Sequence, residues 1–165
     1  MRRFHFLVCL LFASALHAAE PEPDRELAES LLAASGAITS RGSVDKGSTV
    51  CDFDPVEKAF GHSIQTAVAG LQTGDVFVHL LDTPGYPDFA GQAIGALAAV
   101  DTALIVVNAQ AGVELMTERM FAQAGERGLC RMIVINKIDA DNTDLPALVA
   151  DIRARLGPQC LLLDL

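Results

Sequence analysis

The sequence predicts an α/β three-layer sandwich, with a mostly parallel sheet and one antiparallel edge hairpin. Three observations carry this. Apolar runs of strand length recur at 76–81 (VFVHLL), 102–107 (TALIVV) and 131–136 (RMIVIN), and they read as strands buried on both faces. Helical stretches alternate with them at 91–100, 113–127 and 145–156, the mark of a parallel sheet with crossover helices. The short polar stretch QTGD (72–75) separates the runs 63–71 and 76–81 and carries the glycine of a tight turn, which reads as a hairpin.

Taken in order, the chain opens with MRRFHFLVCLLFASALHAAEPEP, two arginines ahead of an apolar stretch and then small residues with an A-x-A match at 13–15. That is the plan of a secretory signal peptide. The same FHFLVCLLF is apolar enough to be a buried strand or helix, so both readings stand. We divide the chain into a signal-peptide-like or aberrant segment, 1–19, and a partial domain, 20–165. From Asp24 to about Ala37 the apolar residues Leu27, Leu31 and Ala34 mark one helical face, and Gly36 supplies a stop near its end. Residues 39–62 are polar, with glycines at 42, 47 and 61, and predict a long connection of the kind that carries function and is poorly ordered without a ligand. In the helix at 145–156, Leu148, Ile152 and Leu156 share a face, and the closing CLLLDL predicts a further strand.

Composition narrows the function. A chain of 165 residues, 51% hydrophobic and 20% charged, suits one domain with one core. A net charge of −9 argues against a broad basic face for DNA or RNA, without excluding an anion held by backbone N–H groups. The four cysteines include no CxxC pair, and His62 and His79 have no partner at ligand spacing, so a zinc site is not expected. Scattered single cysteines fit a reducing compartment, which conflicts with the signal-like start. The apolar run is too short for a comfortable transmembrane span.

In such sheets, ligands sit at the carboxyl ends of strands. Two polar clusters stand there: Asp82-Thr83-Pro84-Gly85 and Asn136-Lys137-Ile138-Asp139. The first is either a tight acidic turn or a loop that holds a metal-bound phosphate. In the second, Asp139 has the chemistry to accept from the two N–H groups of a guanine edge. Asn136 suits the other side of the base, and the Lys137 stem suits its face. Each motif alone is weak. Their joint occurrence, in this order and at two strand ends, is far more specific.

With these motifs in place, the stretch from about Leu27 to Leu163 resembles the GTP-binding domain of translational GTPases, most closely elongation factor G in its divergent second branch. LAESLLAASGAI resembles the helix after the phosphate loop, and DKGSTVCDFDPVEKAFGHSIQTAV the first switch. LLDTPGYPDFAGQAIGAL resembles the second switch, and INKID the guanine-specificity motif. The resemblance implies a P-loop GTPase-like fold, a GTP hydrolase, GTP/GDP and Mg2+ as cofactors, the ribosome as partner and a cytoplasmic place. Residue by residue it implies Ser63 and Asp82 toward the metal, Gly85 toward the γ-phosphate, and Asn136, Lys137 and Asp139 toward guanine.

Two departures bear on activity. Tyr86 stands where the family has a histidine that positions the attacking water, and a phenol is a poor substitute near neutral pH. No G-x-x-x-x-G-K-[ST] occurs anywhere. In the register of the resemblance AAEPEPDR (18–25) takes its place, with Pro23 at the second glycine and Asp24 at the lysine. Prolines offer no N–H, and carboxylates repel phosphate. We therefore expect weak nucleotide binding and little hydrolysis. The competing readings are a non-catalytic interaction module on the GTPase fold, and a truncated product, without the family's later domains, that has no independent function.

Overall fold

A computed structural model describes residues 4–12, 23–44, 46–51, 53–60 and 63–163. The A-x-A stretch and the positions of Glu20 and Glu22 lie outside the described residues. The elements are β1 (Phe4–Phe12), α1 (Pro23–Ala34), α2 (Pro55–Phe60), β2 (Ala67–Thr73), β3 (Val76–Thr83), α3 (Ala90–Ala96), β4 (Thr102–Asn108), α4 (Leu115–Glu126), β5 (Cys130–Asn136) and α5 (Leu145–Leu156). The sheet order is β2-β3-β1-β4-β5. β1 pairs in parallel with β3 and with β4, β4 pairs in parallel with β5, and only β2 runs antiparallel, against β3.

The stretch FHFLVCLLF is thus the central strand of the sheet. The hairpin falls where QTGD predicts it. Thr73 pairs with Val76, and Gly74 takes φ +56 at the first loop position, where a two-residue turn places its glycine.

Alternation along the strands sends side chains into two cores. Ala103, Ile105 and Val107 of β4 pack with α3, α4 and α5, whereas Leu104 packs with Ala28 of α1 and Ala67 of β2. Leu32 of α1 joins Ala69, Leu71 and Leu80 on that second face. Helices therefore cover both faces, which makes the three layers.

Three sequence expectations differ from the structure. First, α1 buries a stripe through Arg25, Ala28, Glu29 and Leu32, while Leu27 and Leu31 are half-buried and Ala34 is exposed. The apolar face at 27, 31 and 34 is therefore the flank of the buried stripe, because part of what α1 meets is polar. Gly36 does end the helix, at φ +75. The amides of Gly36 and Ala37 bond back to the carbonyls of Ala33 and Leu32, the paired bonds of a Schellman stop. Second, the polar connection contains a short helix, α2. Asp54 starts it by accepting from the Val56 amide at 2.7 Å. Third, CLLLDL forms no strand over residues 160–163. Leu161, Leu162 and Leu163 are exposed, and the Cys160 carbonyl accepts from Arg153 instead of from β5. β5, expected to be buried on both faces, is therefore a sheet edge among the described residues, with Cys130, Arg131 and Met132 exposed, beside an open groove of about 980 Å³ lined mainly by residues of β5, α5 and this tail. No helix among the described residues is long and apolar enough to cross a membrane.

Candidate functional site

Because β1, β3, β4 and β5 run in parallel, their carboxyl ends share one edge of the sheet. Asp82 and Thr83 close β3, Asn108 closes β4, and Asn136 closes β5. The register measures their separation. Asp82 shares a row with Leu10, Leu104 and Met132, so Asn136 stands four positions further along β5. At about 3.3 Å per residue that is ~13 Å along the strands, and three strand spacings of ~4.8 Å separate them laterally. The two polar clusters lie at the same end of the sheet, as two poles of an extended site.

At the first pole the loop after β5 is pinned to its neighbours. The Ala109 amide donates to the Asn136 carbonyl at 2.9 Å, and the Asn136 side-chain oxygen accepts from the Lys137 amide at 2.9 Å. Asn108 accepts from the Gln110 amide at 2.8 Å, and the Gln110 side chain donates to the Asp141 carbonyl at 3.1 Å. Lys137 has φ +56, a left-handed conformation that costs a non-glycine residue of order 1 kcal/mol or more. Strain of that kind concentrates at functional loops. Asp139 is exposed, and Lys137 and Asn136 are partly buried. This pole is open to solvent and its carboxylate is accessible.

The second pole is closed. Pro84 and Gly85 are buried and Tyr86 is half-buried, with the Tyr86 carbonyl accepting from the Phe89 amide at 3.0 Å. Asp82 is 2% exposed and Ser63 4% exposed. Three more charged residues are buried around them: Arg25, Glu29 and Glu57, each 1% exposed. Arg25 Nε donates to Ser63 Oγ at 2.9 Å. Glu57 Oε1 accepts from the amides of Ile64 and Gln65 at 2.7 and 2.9 Å. Glu29 accepts from the amides of Gly42, at 2.7 Å, and Val50, at 2.5 Å. Gly42, Val50, Ile64 and Gln65 are thus tied to carboxylates of α1 and α2.

These three residues escaped the sequence reading. One signal was there. Arg25 and Glu29 are spaced i, i+4 on either side of Ala28, and Leu32 follows at the next turn, so a polar pair lies on a stripe that also carries the small apolar residues of a core.

The metal expectation meets this geometry directly. The Ser63 hydroxyl already accepts from a buried guanidinium. Two like unit charges about 4 Å apart repel by ~4 kcal/mol at an effective dielectric constant near 20, and a divalent ion doubles that. The corner as it stands does not fit Mg2+. Among the described residues no group of three or more His, Cys, Asp or Glu is placed to hold a metal ion.

Comparison with known proteins agrees with the layout. The family described as elongation factor Tu GTP binding domain matches residues 26–161. A tetracycline resistance protein TetO of Streptococcus mutans is 38% identical over 135 residues, covering 82% of this chain and 21% of that protein. TetM of Ureaplasma urealyticum is 37% identical over 136 residues, with the same coverage of 82% and 21%. A crystal structure of a Thermus thermophilus protein superposes with a TM-score of 0.83 at 40% identity, covering 93% of this chain and 22% of that one. The chain therefore spans about 21% of the length of the curated relatives it matches.

Proposed function

The chain belongs to the elongation factor Tu GTP binding domain family, the GTP-binding domain of translational GTPases, and from that premise we propose a guanine-nucleotide-binding domain that grips the base and holds the phosphates weakly. The observation that carries this reading is the contrast between the two poles. Asn136, Lys137 and Asp139 stand on a pinned loop with the acceptor carboxylate exposed. At the other pole, Arg25, Ser63, Glu29 and Glu57 are buried and hydrogen-bonded within the protein itself.

In this reading Asp139 accepts from the N–H edge of guanine, Asn136 contacts the opposite side, and the Lys137 stem lies along the ring. Gly85 offers its N–H toward the γ-phosphate, and Ser63 and Asp82 hold the family's metal positions. We take residues 20–165 as the partial domain, of which 26–161 match the family, and Phe4–Phe12 of the signal-like stretch forms β1 of its sheet. The family implies GTP or GDP and, usually, Mg2+. The ribosome is proposed as partner through kinship to elongation factor G.

Hydrolysis is expected to be no faster than background. Backbone N–H groups and a lysine supply much of the phosphate affinity in this class. Asp24 stands at the lysine position, and each charge-assisted hydrogen bond lost costs roughly 1.5–3 kcal/mol. Tyr86 removes help to the attacking water. The hydrogen bonds that Ser63, Glu29 and Glu57 make within the protein also support the second reading, an interaction module that keeps the fold without turnover.

Competition against a fluorescent guanine nucleotide analogue tests the proposal. GDP and GTP should displace it and ADP should not, with dissociation constants weaker than micromolar. Equal competition by adenine and guanine nucleotides would rule out the guanine site. Micromolar or tighter affinity would show that other residues have replaced the phosphate loop.

A further inference from the structure

Resting on the nucleotide-site reading, we propose that the Arg25 guanidinium acts as a built-in cation at the position where this family holds magnesium, fastening Ser63 without metal or nucleotide. Four observations converge on it. The side chain is 1% exposed, and its Nε donates to Ser63 Oγ at 2.9 Å, the very hydroxyl assigned to the metal.

The second observation is the shared face. Leu80 of β3 packs on the α1 side of the sheet, and Asp82, two residues on, points the same way. Ala28 of α1 packs with Ala67, whose cross-strand partner is Asp82. Arg25 lies one turn before Ala28, toward the carboxyl ends of the strands. Arg25, Ser63 and Asp82 therefore occupy one buried corner.

The third observation is the register. With Asp24 at the motif lysine, Arg25 falls on the [ST] position, whose hydroxyl ordinarily contacts Mg2+. An arginine there replaces a metal ligand by a cation. The fourth is the support beneath it. Glu57 accepts from the amides of Ile64 and Gln65, directly after Ser63, so the segment is held at its hydroxyl by Arg25 and along its backbone by Glu57. A guanidinium in the first turn of α1 also runs against the helix dipole, so the anionic and polar groups of this corner must hold it there.

The test uses the full chain and amide-resolved NMR, with Mn2+ as a paramagnetic probe of the magnesium position. In the wild type, Mn2+ should leave the amides around Ser63 and Asp82 unbroadened. In Arg25→Ala the same amides should broaden, at Mn2+ concentrations at least roughly tenfold lower than any that affect the wild type. Broadening there in the wild type overturns the proposal, and so does a variant that stays as insensitive as the wild type. Should Arg25→Ala fail to fold, amide exchange of the wild type decides. Protection of residues 63–66 that is indifferent to Mg2+ supports the built-in cation, and protection that rises with Mg2+ overturns it. A GDP titration followed at residues 136–139 reports the underlying reading separately. Shifts there, together with Mn2+ broadening at Ser63 and Asp82 in the wild type, overturn the built-in cation and leave the guanine site standing. No response to GDP at any position overturns the guanine reading, whatever manganese does.

Discussion

At the base pole and the phosphate pole of the same sheet edge, polar residues meet opposite fates. Asp139 is exposed on a loop whose backbone is fixed by Asn136 and by the amide of Ala109. Asp82, Ser63, Arg25, Glu29 and Glu57 are all buried. A recognition group kept in water costs nothing to maintain and stays available to a ligand. A buried charge must find partners within the protein, and once it has them they are no longer offered to anything else. The comparison teaches that polar residues along one sheet edge can stay open to solvent at one end and turn inward at the other.

The largest expected effect comes from cutting the inward network. Glu29→Ala removes a buried carboxylate that accepts from the part-buried amides of Gly42 and Val50. At roughly 1.5–3 kcal/mol for each hydrogen bond to a charged group, with part-buried amides toward the lower end, the loss should be about 3–4 kcal/mol, read from urea unfolding at constant m value. A change below ~0.5 kcal/mol would mean that the segment 42–50 draws nothing from Glu29, and the poles would no longer differ as described.

A change at the base pole should spare stability and cost affinity. On the proposed reading, Asp139→Ala removes an exposed carboxylate that would accept charge-assisted hydrogen bonds from guanine. Guanine nucleotide binding should weaken by roughly 10- to 150-fold, the equivalent of about 1.5–3 kcal/mol, while the unfolding midpoint stays put. Calorimetric titration and thermal unfolding, run side by side, separate the two readouts. Unchanged affinity would break the assignment of this loop.

The smallest effect is expected from Tyr86→His. An imidazole at the half-buried position after Gly85 would supply one group of a site that, on the proposed reading, holds phosphate weakly. Phosphate release should rise by no more than a few fold, against the roughly 10²–10⁴ that a well-placed general base contributes. A hundredfold gain would show that only the water-positioning group had been lost.

Legibility followed the same divide. β3, β4, β5, α5 and the hairpin could be placed from the sequence because each carries its evidence locally: a short apolar run, a 3.6-residue period or a turn glycine. Asn136, Lys137 and Asp139 could be placed at the end of β5 because they close or directly follow that strand. FHFLVCLLF could not be resolved, since an uninterrupted apolar run has no period to distinguish strand, helix and leader. Its place between β3 and β4 depends on strands some seventy and ninety residues away. CLLLDL has strand composition, yet a strand exists only where a partner edge meets it, and here the Arg153 contact takes its carbonyl.

By itself, then, the sequence determined the alternation of elements and which side chains stand at strand ends, because both follow from local period and chain order. Tertiary structure alone decided which face of α1 is buried, and with it that Arg25 meets Ser63 across thirty-eight residues of chain. Hydrogen bonding in a buried corner depends on the joint packing of α1, α2 and the sheet, and no local pattern records that.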